Sequence, residues 1–219
     1  MHRRNFLRFA GASAAATTLL VVAACNKDDD MTTPGGSTGT SVNLGTGDIG
    51  ILNYAYALEQ LEAAFYIQVI QTQYTGITAA ETAMLTDIRD HEVAHREFFK
   101  AALGTMAIAG LTPDFTSINF TNRASVLGAA KAFEDLGVSA YNGAGKLIKD
   151  ATYLTLAGKI VSVEARHAAY IRNLISSGSF ANSEVIDANG LEIHKDPAAV
   201  LAIAGKFVKN TIDFSGLPK

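Results

Sequence analysis

Two apolar helical stripes in this chain are interrupted at the same two places, by the same two residue types. Read at alternating steps of three and four, one stripe runs Leu85, Ile88, Glu92, His95, Phe99, Ala102. Adding 72 to each number gives Ala157, Ile160, Glu164, His167, Ile171, Leu174. A second pair of stripes repeats at an offset of 75. Leu52, Ala55, Glu59, Glu62, Tyr66, Val69 correspond to Leu127, Ala130, Glu134, Gly137, Tyr141, Ala144. The chain therefore reads as two related helical hairpins. Each supplies one mid-helix Glu from its first helix and a Glu-x-x-His from its second. Residues three apart share a helical face, so each Glu and His aims the same way.

The segments that carry these stripes are long. The first is expected over about 48–73, with Asp48 as N-cap. The second opens on a capping box, Thr78 with Glu81, and runs to Gly104. The third spans about 122–149. The fourth spans about 150–177 and closes on Gly178. A fifth, shorter helix is expected over 197–208, either as a cover on the bundle or as an oligomer contact, which admits a homodimer. Strand signals are largely missing. The loop lengths run short, long, short, and a middle link of about 17 residues can span the bundle. The fold class predicted is all-α: an antiparallel four-helix bundle with one long crossover and a short C-terminal helix.

In a closed bundle Glu59, Glu92, His95, Glu134, Glu164 and His167 meet in the core. Four buried carboxylates without partners are costly or must take up protons. Two divalent cations cancel the four charges, and two imidazoles complete the shells. Oxygen-rich ligands with one imidazole per metal suit iron or manganese better than structural zinc. The sequence leaves open which carboxylates bridge, and whether Glu59 or Glu62 is the first-helix ligand. The tyrosines seven residues on, Tyr66 and Tyr141, favour Glu59. Those tyrosines are core aromatics, hydrogen-bond donors to the carboxylates, or electron donors during catalysis. Glu62 reads as a neighbour of the ligands or an alternative ligand. His91 lies about 100° around the helix from Glu92, at the edge of the inward face.

These motifs resemble the ferritin-like superfamily, and in particular exported bacterial ferritin-like domain proteins of the di-iron carboxylate type. "ALEQLEAAFY" (57–66) and "HEVAH" (91–95) carry the resemblance, which covers about 48–177. It implies a dinuclear iron or manganese centre that reacts with O2 or hydrogen peroxide, as a ferroxidase, peroxidase or catalase. The alternative is a non-catalytic metal-binding or metal-free structural protein connected with stress. "HEVAH" also has the form of a zinc-protease helix. The duplication argues against that use, because Val163 stands where a repeated first His would be.

Composition adds the surroundings. Hydrophobic residues make up 48% and charged residues 18%, as in a globular protein. A formal charge of -3 gives no sign of a nucleic-acid partner. The only cysteine is Cys25, which excludes a disulfide framework. "RRNFLR" (3–8) resembles a twin-arginine export signal, and "VAAC" (22–25) a lipobox whose cysteine is lipidated. Residues 1–25 are thus expected to be a signal peptide ending at the lipidated Cys25, and 26–47 a Gly/Ser/Thr/Asp-rich tether. Residues 48–178 would be the bundle and 179–219 a C-terminal extension. The expected location is the cell envelope, on the membrane through a lipid anchor.

Overall fold

The computed structural model of the chain describes residues 41–219. Cys25 and the twin-arginine run lie outside the described residues. Four long helices dominate: α1 (Gly47–Gln71), α2 (Ala79–Leu103), α3 (Arg123–Gly145) and α4 (Ala151–Ile175). A short α5 (Pro197–Ala204) follows. Two three-residue strands, β1 (Ser41–Asn43) and β2 (Thr211–Asp213), pair in parallel. They are too short to leave a periodic signal in the sequence. β1 lies in the stretch whose composition reads as a tether, and Val42 and Leu44 beside it are buried.

The helices pack as two hairpins, α1 on α2 and α3 on α4. The long link runs along α1 from one end to the other. The Asn53 side chain donates to the Met106 carbonyl and accepts from the Ile108 amide. One turn pair further, Gln60 accepts from the Leu111 amide. At the far end the Thr75 amide donates to the Thr121 carbonyl. The link therefore starts α3 at the C-terminal end of α1, and the two helices run antiparallel. This is an all-helical bundle with a long crossover and a short C-terminal helix.

Helix ends show where local chemistry differs from the sequence reading. The capping box forms as predicted: Thr78 accepts from the Glu81 amide, and Glu81 accepts from the Thr78 amide. Asp48 is not the N-cap of α1; it lies inside the first turn, and Thr46 precedes the helix. Its two oxygens instead accept from the amides of Lys149 and Asp150, fastening the α3–α4 turn to the start of α1. α3 ends at Gly145, not at residue 149, because the chain tightens into successive three-residue turns there. Ala102 is exposed, and Leu103 takes the buried place just before the Gly104 turn at φ +54°.

The C-terminal extension covers α3. Val200, Leu201 and Ala204 of α5 join the main apolar core with Phe133 and Leu136. The Lys195 amide donates to the Ser139 carbonyl. A Cβ at Gly143 would sit 1.8 Å from the Lys195 carbonyl oxygen, so only glycine admits the chain this close. Exposed His194 lies in this covering loop.

Candidate metal centre

Each helix brings one or two polar side chains to the bundle's mid-height. Glu59, Glu92, Glu134 and Glu164 are fully buried, and Glu62 is 3% exposed. His167 is buried and His95 nearly so. The ligand atoms form two clusters, each within 4.8 Å throughout: Glu59, Glu92, His95, Glu164, and Glu92, Glu134, Glu164, His167. Glu92 and Glu164 belong to both. Glu59 with His95, and Glu134 with His167, lie one pair to each side. The structure thus brings together all six residues that the duplicated motifs single out.

The histidines reach across the hairpins. His95 Nδ1 lies 2.9 Å from Glu164 Oε1 and 3.4 Å from Glu59 Oε2. His167 Nδ1 lies 2.8 Å from Glu92 Oε1 and 3.6 Å from Glu134 Oε2. These contacts are close but not aligned as hydrogen bonds. Nine buried atoms have no hydrogen-bond partner: Glu59 Oε2, Glu62 Oε2, both oxygens of Glu92 and Glu164, Glu134 Oε2, and Nδ1 of His95 and His167. A bundle core cannot carry so many orphaned acceptors without compensation. Eight of them belong to the residues of the two clusters, and they crowd a common space as ligands do around cations.

The remaining atoms are fixed by partners. Tyr66 Oη donates to Glu134 Oε1 at 2.5 Å, and Tyr141 Oη donates to Glu59 Oε1. Each terminal carboxylate thereby holds one oxygen on a tyrosine and turns the other inward. Burial, followed by the charges of Glu134 and Glu59 respectively, pushes both phenols well above their usual range, so they remain donors. His91 Nδ1 lies 2.9 Å from His167 Nε2, and the two rings are nearly parallel at 8°. The sequence places His91 at the edge of the inward face but gives no sign of its partner, which lies on the other hairpin.

Glu62 faces Gly137 across the axis that relates the hairpins. A Cβ at Gly137 would meet Glu62 Oε1 at 2.9 Å and Glu164 Oε2 at 3.4 Å. Antiparallel α1 and α3 bring a residue and its repeat counterpart face to face here, and only one of them has room for a side chain. Glu62 falls in neither four-residue cluster. The pairing was accessible from sequence once α1 and α3 are taken as antiparallel, because 62 and 137 then sit at matching heights.

Without metal the charges reorganise. Burial alone would raise Glu92, but His167 and His95 outweigh it and hold the carboxyl at about 2. Burial raises Glu59 to about 7, against the pull of His95. It also lifts Glu62 and Glu164 well above the carboxylate range, helped by the negative neighbours Glu164 and Glu92 respectively. Burial opposes charge on the histidines, yet the carboxylates around them raise His95 to about 12 and His167 to about 11. Protons thus do part of the work that cations would do in the same space.

Among the described residues, no helix is long and apolar enough to cross a membrane. No curated protein matches the chain. The family described as "Ferritin-like domain" (Ferritin_2) matches residues 47–177, which is more than half of the 219 residues and takes in all four long helices. With a four-helix bundle, a long crossover and two acid–histidine clusters at its centre, the chain belongs to the ferritin-like domain family.

Proposed function

We propose that the centre holds two divalent cations, iron or manganese, and reacts with dioxygen or hydrogen peroxide. The observation that carries this reading is the convergence of eight unpartnered atoms of the six cluster residues in a buried space. Glu59 and His95 would serve one ion and Glu134 and His167 the other, and Glu92 and Glu164, common to both clusters, would be within reach of either. Four carboxylates balance two divalent charges. When bound, a pair of redox-active ions would supply the electrons that reduce dioxygen or peroxide, or would cycle between two oxidation states as one peroxide is reduced and another oxidised.

The chain's own residues set the conditions for that chemistry. Tyr66 and Tyr141 orient the terminal carboxylates, and their hydroxyls are also placed to give up a hydrogen atom to the centre. Burial keeps bulk water out, which strengthens every charge interaction inside. A metal-free structural role would leave the orphaned atoms uncompensated except by protons, and so fits less well.

Elemental analysis of the purified protein tests this first, followed by anaerobic Fe(II) or Mn(II) loading and a pulse of O2 or peroxide. Two ions per chain and oxidant consumption are expected. Glu92→Ala and Glu164→Ala should each lose metal; unchanged metal content in both would refute the assignment. We also propose export and anchoring through Cys25, supported by the "VAAC" and "RRNFLR" segments. Cys25→Ala should move the protein from the membrane fraction to the soluble fraction of the producing cells.

A further inference from the structure

An apolar cavity of about 20 Å³ lies inside the bundle toward the N-terminal end of α1. Its wall includes Ala55, Phe99, Ala140, Tyr141, Ala144 and, on α4, Ala157. It adjoins the metal centre directly. The ring of Tyr141 lines it, and the hydroxyl of Tyr141 donates to Glu59. Ala55 is one helical turn before Glu59, and Phe99 one turn after His95, about 5.4 Å along each axis.

The duplication shows why the space exists. On α3 and α4 three lining residues are smaller than their counterparts in the other half of the bundle, while on α1 and α2 Ile51, Tyr54 and Phe99 are larger than Val126, Ala129 and Ile171. Ala140 stands where the first hairpin has Phe65, Ala144 where it has Val69, and Ala157 where it has Leu85. Phe65, Val69 and Leu85 are all fully buried. The gap lies where these small residues of α3 and α4 stand.

We propose that this cavity binds dioxygen and delivers it to the Glu59–His95 side of the centre. This rests on the reading of the centre as one that meets an oxidant, and narrows that oxidant to the apolar one. A volume of about 20 Å³ exceeds the 10–15 Å³ or so that one water-sized occupant needs. The wall is almost wholly carbon; the Tyr141 hydroxyl is committed to Glu59, and Tyr54, whose buried hydroxyl has no partner, is the one other hydroxyl-bearing residue in the lining. Water or hydrogen peroxide would give up several hydrogen bonds to enter and find at most one in exchange, at the Tyr54 hydroxyl. Dioxygen has no hydrogen bonds to lose, and apolar cavities accept apolar gases.

Two measurements on the metal-free protein test the site itself. Xenon under pressure should occupy the cavity in a crystal of the protein. Dissolved dioxygen, being paramagnetic, should broaden the methyl NMR signals of Ala140, Ala144 and Ala157 beyond those of surface alanines. The variants Ala144→Val and Ala157→Leu, which import the counterpart residues, should abolish both effects. After Fe(II) loading, these variants should still bind two ions per chain. They should react with dioxygen at least tenfold more slowly than the parent, and with peroxide within twofold of it. Absence of xenon and of selective broadening in the cavity would overturn the proposal. So would parental dioxygen rates in the filled variants, or an equal fall with both oxidants. Ala144→Val adds only two methyl groups and keeps the kinetic arm decisive should Ala157→Leu fail to fold. If the loaded parent consumes neither oxidant, the functional reading fails, and the gas-binding results still decide the cavity.

Discussion

His91 Nδ1 sits 2.9 Å from His167 Nε2, and among the described residues no side chain makes an equivalent contact with the other ring nitrogen of His95. The position of α4 that repeats His91 is Val163, whose side chain offers neither donor nor acceptor. When His167 offers its Nδ1 lone pair to a cation, its Nε2 must carry the proton, which His91 Nδ1 is then in position to accept. Such outer partners fix the tautomer and ring orientation of a ligating histidine and are worth about 10–100-fold in metal affinity. The two halves of the centre are therefore unequal.

The prediction is two unequal metal equivalents. Calorimetric titration with Mn(II) should resolve a tighter and a weaker ion. His91→Val should weaken the tighter one by about 10–100-fold and leave the weaker one unchanged. Val163→His should strengthen the weaker one. His91 is exposed, so its loss should barely change folding stability. Equal shifts of both equivalents in His91→Val would contradict the asymmetry.

Gly137 is the place where the duplication had to break. Glu62 occupies the axial space, and a methyl group at 137 would stand 2.9 Å from its Oε1. Buried Glu62 cannot swing into solvent to make room. Gly137→Ala should destabilise the protein by about 1–3 kcal/mol through overpacking, in spite of the better helix propensity of alanine. Urea denaturation measures this. The double variant Glu62→Ala, Gly137→Ala should recover most of the loss, because the clash disappears with the larger partner. Independent, additive costs would mean that the two residues do not compete for the space.

The helices and six of the central residues were legible because a helix writes its inward face into the sequence at a fixed period. Glu59, Glu92, His95, Glu134, Glu164 and His167 could be chosen from spacing and duplication alone. The sharing of Glu92 and Glu164 could not, because it depends on how one hairpin is rotated against the other. The same holds for His91 and His167, which are 76 residues apart and meet only after the hairpins close. Asp48 had the composition of a cap, but its partners are amides about 100 residues away. A long-range acceptor and a local cap look alike in sequence. The cavity beside Tyr141 was present as small residues at Ala140, Ala144 and Ala157, yet small residues in a helix signal close packing as often as space.

Arg172 was equally silent. A basic residue in the last turn of a helix reads as a solvated complement to the helix dipole. Its side chain is instead 1% exposed. It donates to Asp135 Oδ2 at 2.5 Å, to the Ser179 carbonyl at 3.0 Å, to Asn182 Oδ1 at 2.6 Å and to Glu184 Oε2 at 2.6 Å. It thereby pins the covering loop after α4 onto α3. Arg172→Met should cost on the order of 3 kcal/mol, the lower end for a broken buried pair, since Asp135 and Glu184 keep contact with solvent. Limited proteolysis should then cut within residues 179–195 before the bundle. Resistance of that segment in the variant would show that other contacts hold it.

The metal-free and metal-loaded proteins should respond to pH in opposite ways. In the metal-free centre, Glu59 titrates at about 7 and is protonated more readily than in the unfolded chain. His95 and His167, at about 12 and 11, likewise hold protons that the unfolded chain releases near pH 6.5. Wherever the folded state binds more protons, stability falls as pH rises. The loss should therefore begin above about pH 4.5 through Glu59 and continue past pH 6.5 through the histidines. Glu92 has the opposite sign: at about 2 it stabilises above its unfolded value, and that contribution fades as pH drops below about 4.5. Through these groups the stability of the metal-free protein should thus peak near pH 4.5 and decline toward pH 9, with Glu62 and Glu164, also raised, adding to the decline. Cations displace these protons, and their binding strengthens as the ligands deprotonate. With saturating Mn(II) the melting temperature should rise from pH 5 to pH 8. Thermal melts across that range, with and without metal, check the crossing; parallel curves would mean that protons and metal do not compete for the same atoms.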